Sequence, residues 1–119
     1  LLLEAGAATN QTQQNGATPL IIACLEGQLE CVRLLLEVGA AVNQAQQNGA
    51  TPLYIACYKG QLECARLLVE ARAAIDQAKQ NGATPMFIAC EMGQLECVRL
   101  LLEAGAAIEQ PMDDGTTPL

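Results

Sequence analysis

With 119 residues, of which 51% are apolar, the chain has the material for one folded domain with a core and is not a disordered segment. Aromatic residues make up only 3% and tryptophan is absent, so that core must be aliphatic, filled by Leu, Ile, Val, Ala and Cys. A net charge of −7 excludes partners that need clustered Lys and Arg, nucleic acid and anionic membrane surfaces among them, and no apolar run approaches the roughly 20 residues of a membrane span.

Residues 1–14, LLLEAGAATNQTQQ, match residues 34–47, LLLEVGAAVNQAQQ, so the sequence opens within the second half of a repeat. Three full units follow, 15–47, 48–80 and 81–113, and residues 114–119, DGTTPL, begin another. Gly16, Gly49, Gly82 and Gly115 step by 33 residues, as do the Thr-Pro pairs that start at Thr18, Thr51, Thr84 and Thr117. A fixed period of this size is the signature of a stacked array, in which a unit that cannot bury its own apolar face buries it against its neighbours. Neither end reads as a polar capping unit. Self-association or fraying through the ends is therefore expected, at Leu1 to Leu3 and at Leu119.

Within a unit, Asn15-Gly16-Ala17 is turn chemistry, Thr18 can cap a helix, and Pro19 suits its first position, where the missing N–H would have no partner. A short first helix should run to Gly27 and end there in the left-handed conformation. A second helix is expected over about residues 28–38, with Leu29, Val32, Leu35 and Leu36 on a buried face. Glu30, Arg33 and Glu37 form the opposite stripe, and both Glu30–Arg33 and Arg33–Glu37 are spaced to pair, each for a few tenths of a kcal/mol. Gly39 ends this helix, and residues 39–47, GAAVNQAQQ, carry the chain in a finger-like excursion to the next turn.

The six cysteines, Cys24, Cys31, Cys57, Cys64, Cys90 and Cys97, sit in apolar runs at repeat-locked positions, as small hydrophobes do. Reduced thiols and an intracellular location, cytoplasmic or nuclear, are the expectation. No catalytic constellation is visible. The chain has no histidine, which removes the commonest general base and metal ligand together. Cys24 and Cys31 are seven apart, not the two to four of a zinc knuckle, and Asp113-Asp114-Gly115 lacks the alternating ligands of a calcium loop. No glycine stands in a phosphate-binding setting. No enzyme activity, metal or cofactor is expected.

The pattern N-G-x-T-P-L-x-x-A followed by G-Q-L-E-x-x-x-L-L-L-E-x-G-A, repeated through the whole chain, resembles the ankyrin repeat. The resemblance implies an all-α solenoid of stacked antiparallel helix pairs with hairpin-like loops, whose fingers and first helices line a concave binding face. Ankyrin repeats usually carry histidine after T-P-L and again after the mid-repeat glycine. Here Ile21, Tyr54 and Phe87 hold the first place and Gln28, Gln61 and Gln94 the second, so the Thr to His hydrogen bonds that tie units in the family are in doubt. The glycine that ends the second helix is Gly39 and Gly105 but Arg72 in the middle unit, where a Cβ would strain a left-handed cap.

Against this near-constant framework, the positions that change from unit to unit carry the functional information. They are Ile21, Tyr54, Phe87; Leu25, Tyr58, Glu91; Glu26, Lys59, Met92; and Gln46 against Lys79. By resemblance most belong to the concave face, and Leu25, Glu26, Tyr54, Tyr58, Lys59, Phe87, Glu91 and Met92 are the expected contacts of a protein partner. Ile21, Tyr54 and Phe87 have a second reading, as fillers between neighbouring first helices. The function expected is a non-catalytic protein-interaction module. Two alternatives stay open on the residues alone: an engineered or purely structural array without a partner of its own, and the targeting arm of a larger enzyme.

Overall fold

The computed structural model describes residues 15–108 and 110–117. Six helices follow one another in pairs: α1 (Pro19–Glu26) and α2 (Leu29–Glu37), α3 (Pro52–Lys59) and α4 (Leu62–Glu70), α5 (Pro85–Glu91) and α6 (Leu95–Glu103). The first helices α1, α3 and α5 pack side by side in one layer and α2, α4 and α6 in a second, with each pair joined across the layers. The stack is the helical solenoid that the repeat pattern implies.

Each first helix starts on the same device. Thr18, Thr51 and Thr84 sit in extended backbone, and their Oγ1 atoms accept from the backbone N–H three residues on, at 3.2 Å from Ile21, 3.1 Å from Tyr54 and 3.1 Å from Phe87. The proline that follows has no N–H to leave unsatisfied. All three threonines are buried, so the cap also satisfies a polar group that water cannot reach. Gly27 and Gly60 end α1 and α3 in the left-handed region at φ of 69° and 70°, and α5 stops one residue earlier, with Gly93 in the same conformation.

The second helices have no side-chain cap; the residues before them are Gln28, Gln61 and Gln94. The Gln94 amide reaches back to the preceding repeat instead. Gln94 Nε2 donates to the Tyr58 carbonyl at 3.3 Å, and a Cβ placed on Gly60 would come within 2.9 Å of the Gln94 amide group. Where the resembled repeats carry histidine, glutamine thus makes an inter-repeat tie of its own, and the threonine hydroxyl caps its own helix.

The fingers are hairpin-like turns. Gln46 N donates to Ala50 O and Gly49 N to Gln46 O, while Asn48 Oδ1 accepts from Ala50 N. Successive fingers are bonded in register by Gln47 N to Asn15 O, Gln80 N to Asn48 O and Asp113 N to Asn81 O, at 2.8, 2.9 and 3.0 Å. A second set of ties runs along the loops, with Asn43 Oδ1 accepting from Ala74 N and Asp76 Oδ1 from Ala107 N. The approach is close: a Cβ on Gly49 would lie 2.8 Å from Gln80 N.

Between the layers the core is aliphatic. Leu20, Leu53 and Met86 occupy equivalent places and are buried, as are Leu35, Leu68 and Leu101, with the small Ala56 and Ala89 letting the first helices approach. All six cysteines are free thiols; Cys24, Cys57, Cys64 and Cys97 are buried and Cys31 and Cys90 half-buried. Burial pushes the Cys24 thiol far up and raises Cys64 and Cys90. The Cys57 thiol is raised by its hydrogen bond to Cys97 and by burial, and the same bond lowers Cys97. On the outer surface, Arg33, Arg66 and Arg99 pair with Glu30, Glu63 and Glu96 at 3.5 to 3.6 Å. Among the described residues these are the ion pairs formed, so the expected Arg33–Glu37 pair is not made; the guanidinium turns toward the N-terminal glutamate three residues back.

Arg72 sits just past α4 at φ of +68°, the left-handed conformation that Gly39 and Gly105 hold in the other units at φ of 88°. Arg72→Gly is expected to stabilise the chain by about 0.5 to 1 kcal/mol, since the strain relieved exceeds the backbone freedom that glycine adds to the unfolded state. A urea midpoint that falls instead would show that Arg72 contributes more than its backbone costs. In quantitative thiol titration of the folded chain, Cys31 and Cys90 should react before the buried four; six thiols reacting together at the rate of free cysteine would contradict the packing.

Candidate functional site

The fingers stand off from the first helices, and the angle between them is a groove of about 630 Å³ along the middle and third repeats. Its helical wall is Tyr54, Ile55 and Tyr58 of α3 with Phe87, Ile88 and Glu91 of α5. The finger wall is built from positions related by the repeat: Gln46, Lys79 and Met112; Asn48, Asn81 and Asp114; Ala50, Ala83 and Thr116.

Four of the eight residues expected to contact a partner line this groove, namely Tyr54, Tyr58, Phe87 and Glu91. Tyr54 is only 6% exposed and Phe87 half-buried, so both serve the core and the groove at once, whereas Tyr58 is 41% exposed and free to reach a ligand. Ile21, the equivalent of Tyr54 in the first unit, is buried in the core. Leu25, Glu26, Lys59 and Met92 stand at the C-terminal ends of α1, α3 and just beyond α5, outside the groove lining; Leu25 is half-buried and the other three are exposed.

The finger residues were the part that the pattern of variation left out. Lys79 stands out in the sequence as a departure from Gln46, but the third member, Met112, and the change from Asn48 and Asn81 to Asp114 lie in the turn and at the start of the following unit. The signal was present as a 33-residue series. A period alone does not show that the finger of one unit and the helix of the same unit face each other.

Charge in the groove is arranged unevenly. Lys79 Nζ lies 5.2 Å from the centroid of the Tyr54 ring, a cation on an aromatic face. The Tyr54 phenol is raised by burial first, then by the Glu91 carboxylate and by Tyr58. Asp114 Oδ1 accepts from Thr116 N at 2.9 Å, and the backbone and hydroxyl of Thr116 hold its carboxyl below the usual range. The surface is thus aromatic and aliphatic at its floor, amide-rich along the fingers, and charged at a few fixed points. Such a surface can recognise an extended chain by packing and hydrogen bonds. Among the described residues, no three Cys, Asp or Glu side chains converge to hold an ion. Nor is any described helix long and apolar enough to cross a membrane.

A family model described as "Ankyrin repeats (3 copies)" matches residues 1–78 and again residues 71–119. No curated protein matches the chain.

Because the Glu91 carboxylate disfavours the phenolate beside it, Glu91→Gln should lower the pKa of Tyr54. The measurement is phenolate absorbance against pH in a Tyr58→Phe background, where Tyr54 is the remaining tyrosine. The sign of the linkage follows: a phenol raised in the fold contributes stability that is present below the ordinary tyrosine pKa and lost as pH climbs through the raised one. An unchanged or higher Tyr54 pKa in Glu91→Gln would place that carboxylate away from the ring.

Proposed function

The chain belongs to the ankyrin-repeat family, and from that premise we propose that it is a non-catalytic adaptor that holds a protein partner in the groove between its fingers and first helices. Repeats of this family are in general protein–protein interaction modules, and the fold is typically non-catalytic. The observation that carries the reading is where the variation lies. Tyr58 against Glu91, Gln46 against Lys79 and Met112, and Asn81 against Asp114 all line one surface, while the threonine caps, the buried Leu35, Leu68 and Leu101 and the finger bonds repeat unchanged. Residues that vary over a constant scaffold are free to encode a partner.

Within that reading Tyr54, Tyr58, Phe87 and Glu91 form the centre of the interface and Leu25, Glu26, Lys59 and Met92 extend it along the helix ends. Tyr58 and Met92 are exposed large apolar side chains, the kind that anchor interfaces. The reading includes an intracellular location, supported by six free thiols in the fold.

Tyr58→Ala should cost about 2 kcal/mol of partner affinity, as truncation of a central aromatic does, while Arg66→Glu on the outer stripe should cost little. Both variants are to be compared with the parent chain in affinity capture from cell lysate, with thermal melts run alongside. A protein retained by the parent and by Arg66→Glu but lost from a fully folded Tyr58→Ala supports the groove. If Arg66→Glu abolishes capture while Tyr58→Ala leaves it intact, the binding face is elsewhere. If Tyr58→Ala lowers the melting temperature with no specific loss of binding, the side chain is packing alone.

A further inference from the structure

The groove changes character between its middle and third repeats. Moving by one repeat, Tyr58 becomes Glu91, Lys79 becomes Met112, and Asn81 becomes Asp114. Each of the three changes lowers the local charge by one, so the third-repeat end is acidic where the middle is not. The cation that the groove does own, Lys79, is drawn to the Tyr54 ring at 5.2 Å. Among the described residues the ion pairs all lie on the outer stripe, and neither the Glu91 nor the Asp114 carboxylate is neutralised by a cation of the chain. Both residues are exposed, and they line the same groove as the half-buried Phe87 and Met112. An apolar floor that shares its groove with two carboxylates fits one kind of protein side chain: a long aliphatic stem with a cationic head.

We infer that this end of the groove is the seat for an arginine or lysine side chain of the partner protein, its stem on Phe87 and Met112 and its charged head drawn to the Glu91 and Asp114 carboxylates. The inference rests on the groove being the partner-binding face. An acidic partner segment would meet repulsion from these carboxylates in a chain of net charge −7. An apolar one would strip them of water and give nothing in return. A basic residue on an otherwise apolar, extended segment satisfies both the floor and the rim, and its planar guanidinium can also lie on the Phe87 ring.

The test is selection of binders from a random twelve-residue peptide library displayed on phage, with the whole chain as bait. Peptides recovered by the parent chain should be enriched roughly tenfold in arginine or lysine at one position of their consensus, the scale of one charged pair in a partly desolvated site. Against Glu91→Gln/Asp114→Asn that enrichment should vanish. Against Glu63→Gln/Glu96→Gln, which removes the same charge from the outer stripe, it should persist. Which of the two basic residues is chosen reads directly from the consensus.

Basic enrichment that survives the groove variant, or that the outer-stripe variant also abolishes, overturns the inference, the latter by tracing it to net charge. A consensus without basic residues whose binding is lost from folded Tyr58→Ala overturns it too, while leaving the groove as the binding face. Binders indifferent to Tyr58→Ala and to the carboxylate variant alike remove both readings, and recovery of no binders by the parent chain overturns the basic seat.

Discussion

The structure depends on a threonine hydroxyl that never meets water. At Thr18, Thr51 and Thr84 the cap does more than satisfy the N–H three residues on: it holds the capping residue in extended backbone while the next residue, proline, is already helical. The chain therefore turns sharply at that point in every unit. The finger leaves in one direction and the helix in another, and the groove is the space between. Losing one such cap costs about 1 kcal/mol where solvent can compensate. At sites as buried as these, the orphaned donor has nowhere else to turn. The binding surface is a by-product of how each helix begins.

Much of this architecture was legible in the residues because its determinants are local. Thr-Pro sets the start of each first helix, glycine its end, and apolar spacing the second helix, which runs over Leu29–Glu37 against the expected 28–38. Arg72 was identifiable as a misfit since its neighbours in the series are glycines, and its φ of +68° bears that out. What escaped were contacts between distant parts of the chain. That Gln94 reaches back to Tyr58 O, 36 residues away, is set by how far one repeat is displaced from the next, and that Lys79 lies on the ring of Tyr54, 25 residues away, by how the finger of a unit folds against its own first helix. No period in a sequence encodes that offset.

Burial follows the same logic of neighbours. The middle unit, flanked on both sides, buries all of residues 52–57, including Tyr54, whereas in the third unit Phe87 and Cys90 are only half-buried. On the second helices, Leu29 and Leu62 pack against the core, while the equivalent Leu95 is 63% exposed. Identical residues thus contribute differently according to what stands beside them. Stability in such an array is close to a sum of nearest-neighbour terms, and a substitution's cost is a property of its place in the stack as much as of its chemistry.

The finger bonds carry a consequence for how such a chain can change length. Gln80 N finds Asn48 O, and Gln80 Nε2 finds Gln47 O, 33 residues back. Asp113 N finds Asn81 O by the same rule. A duplication or deletion of one whole period would hand each of these donors an acceptor of the same kind at the same distance. A change by any other number would leave the backbone of one finger facing a loop that presents the wrong groups. The joints are thus indifferent to how many whole units they connect and intolerant of a fraction inserted between them, so a binding surface can be lengthened or shortened without redesigning a single joint.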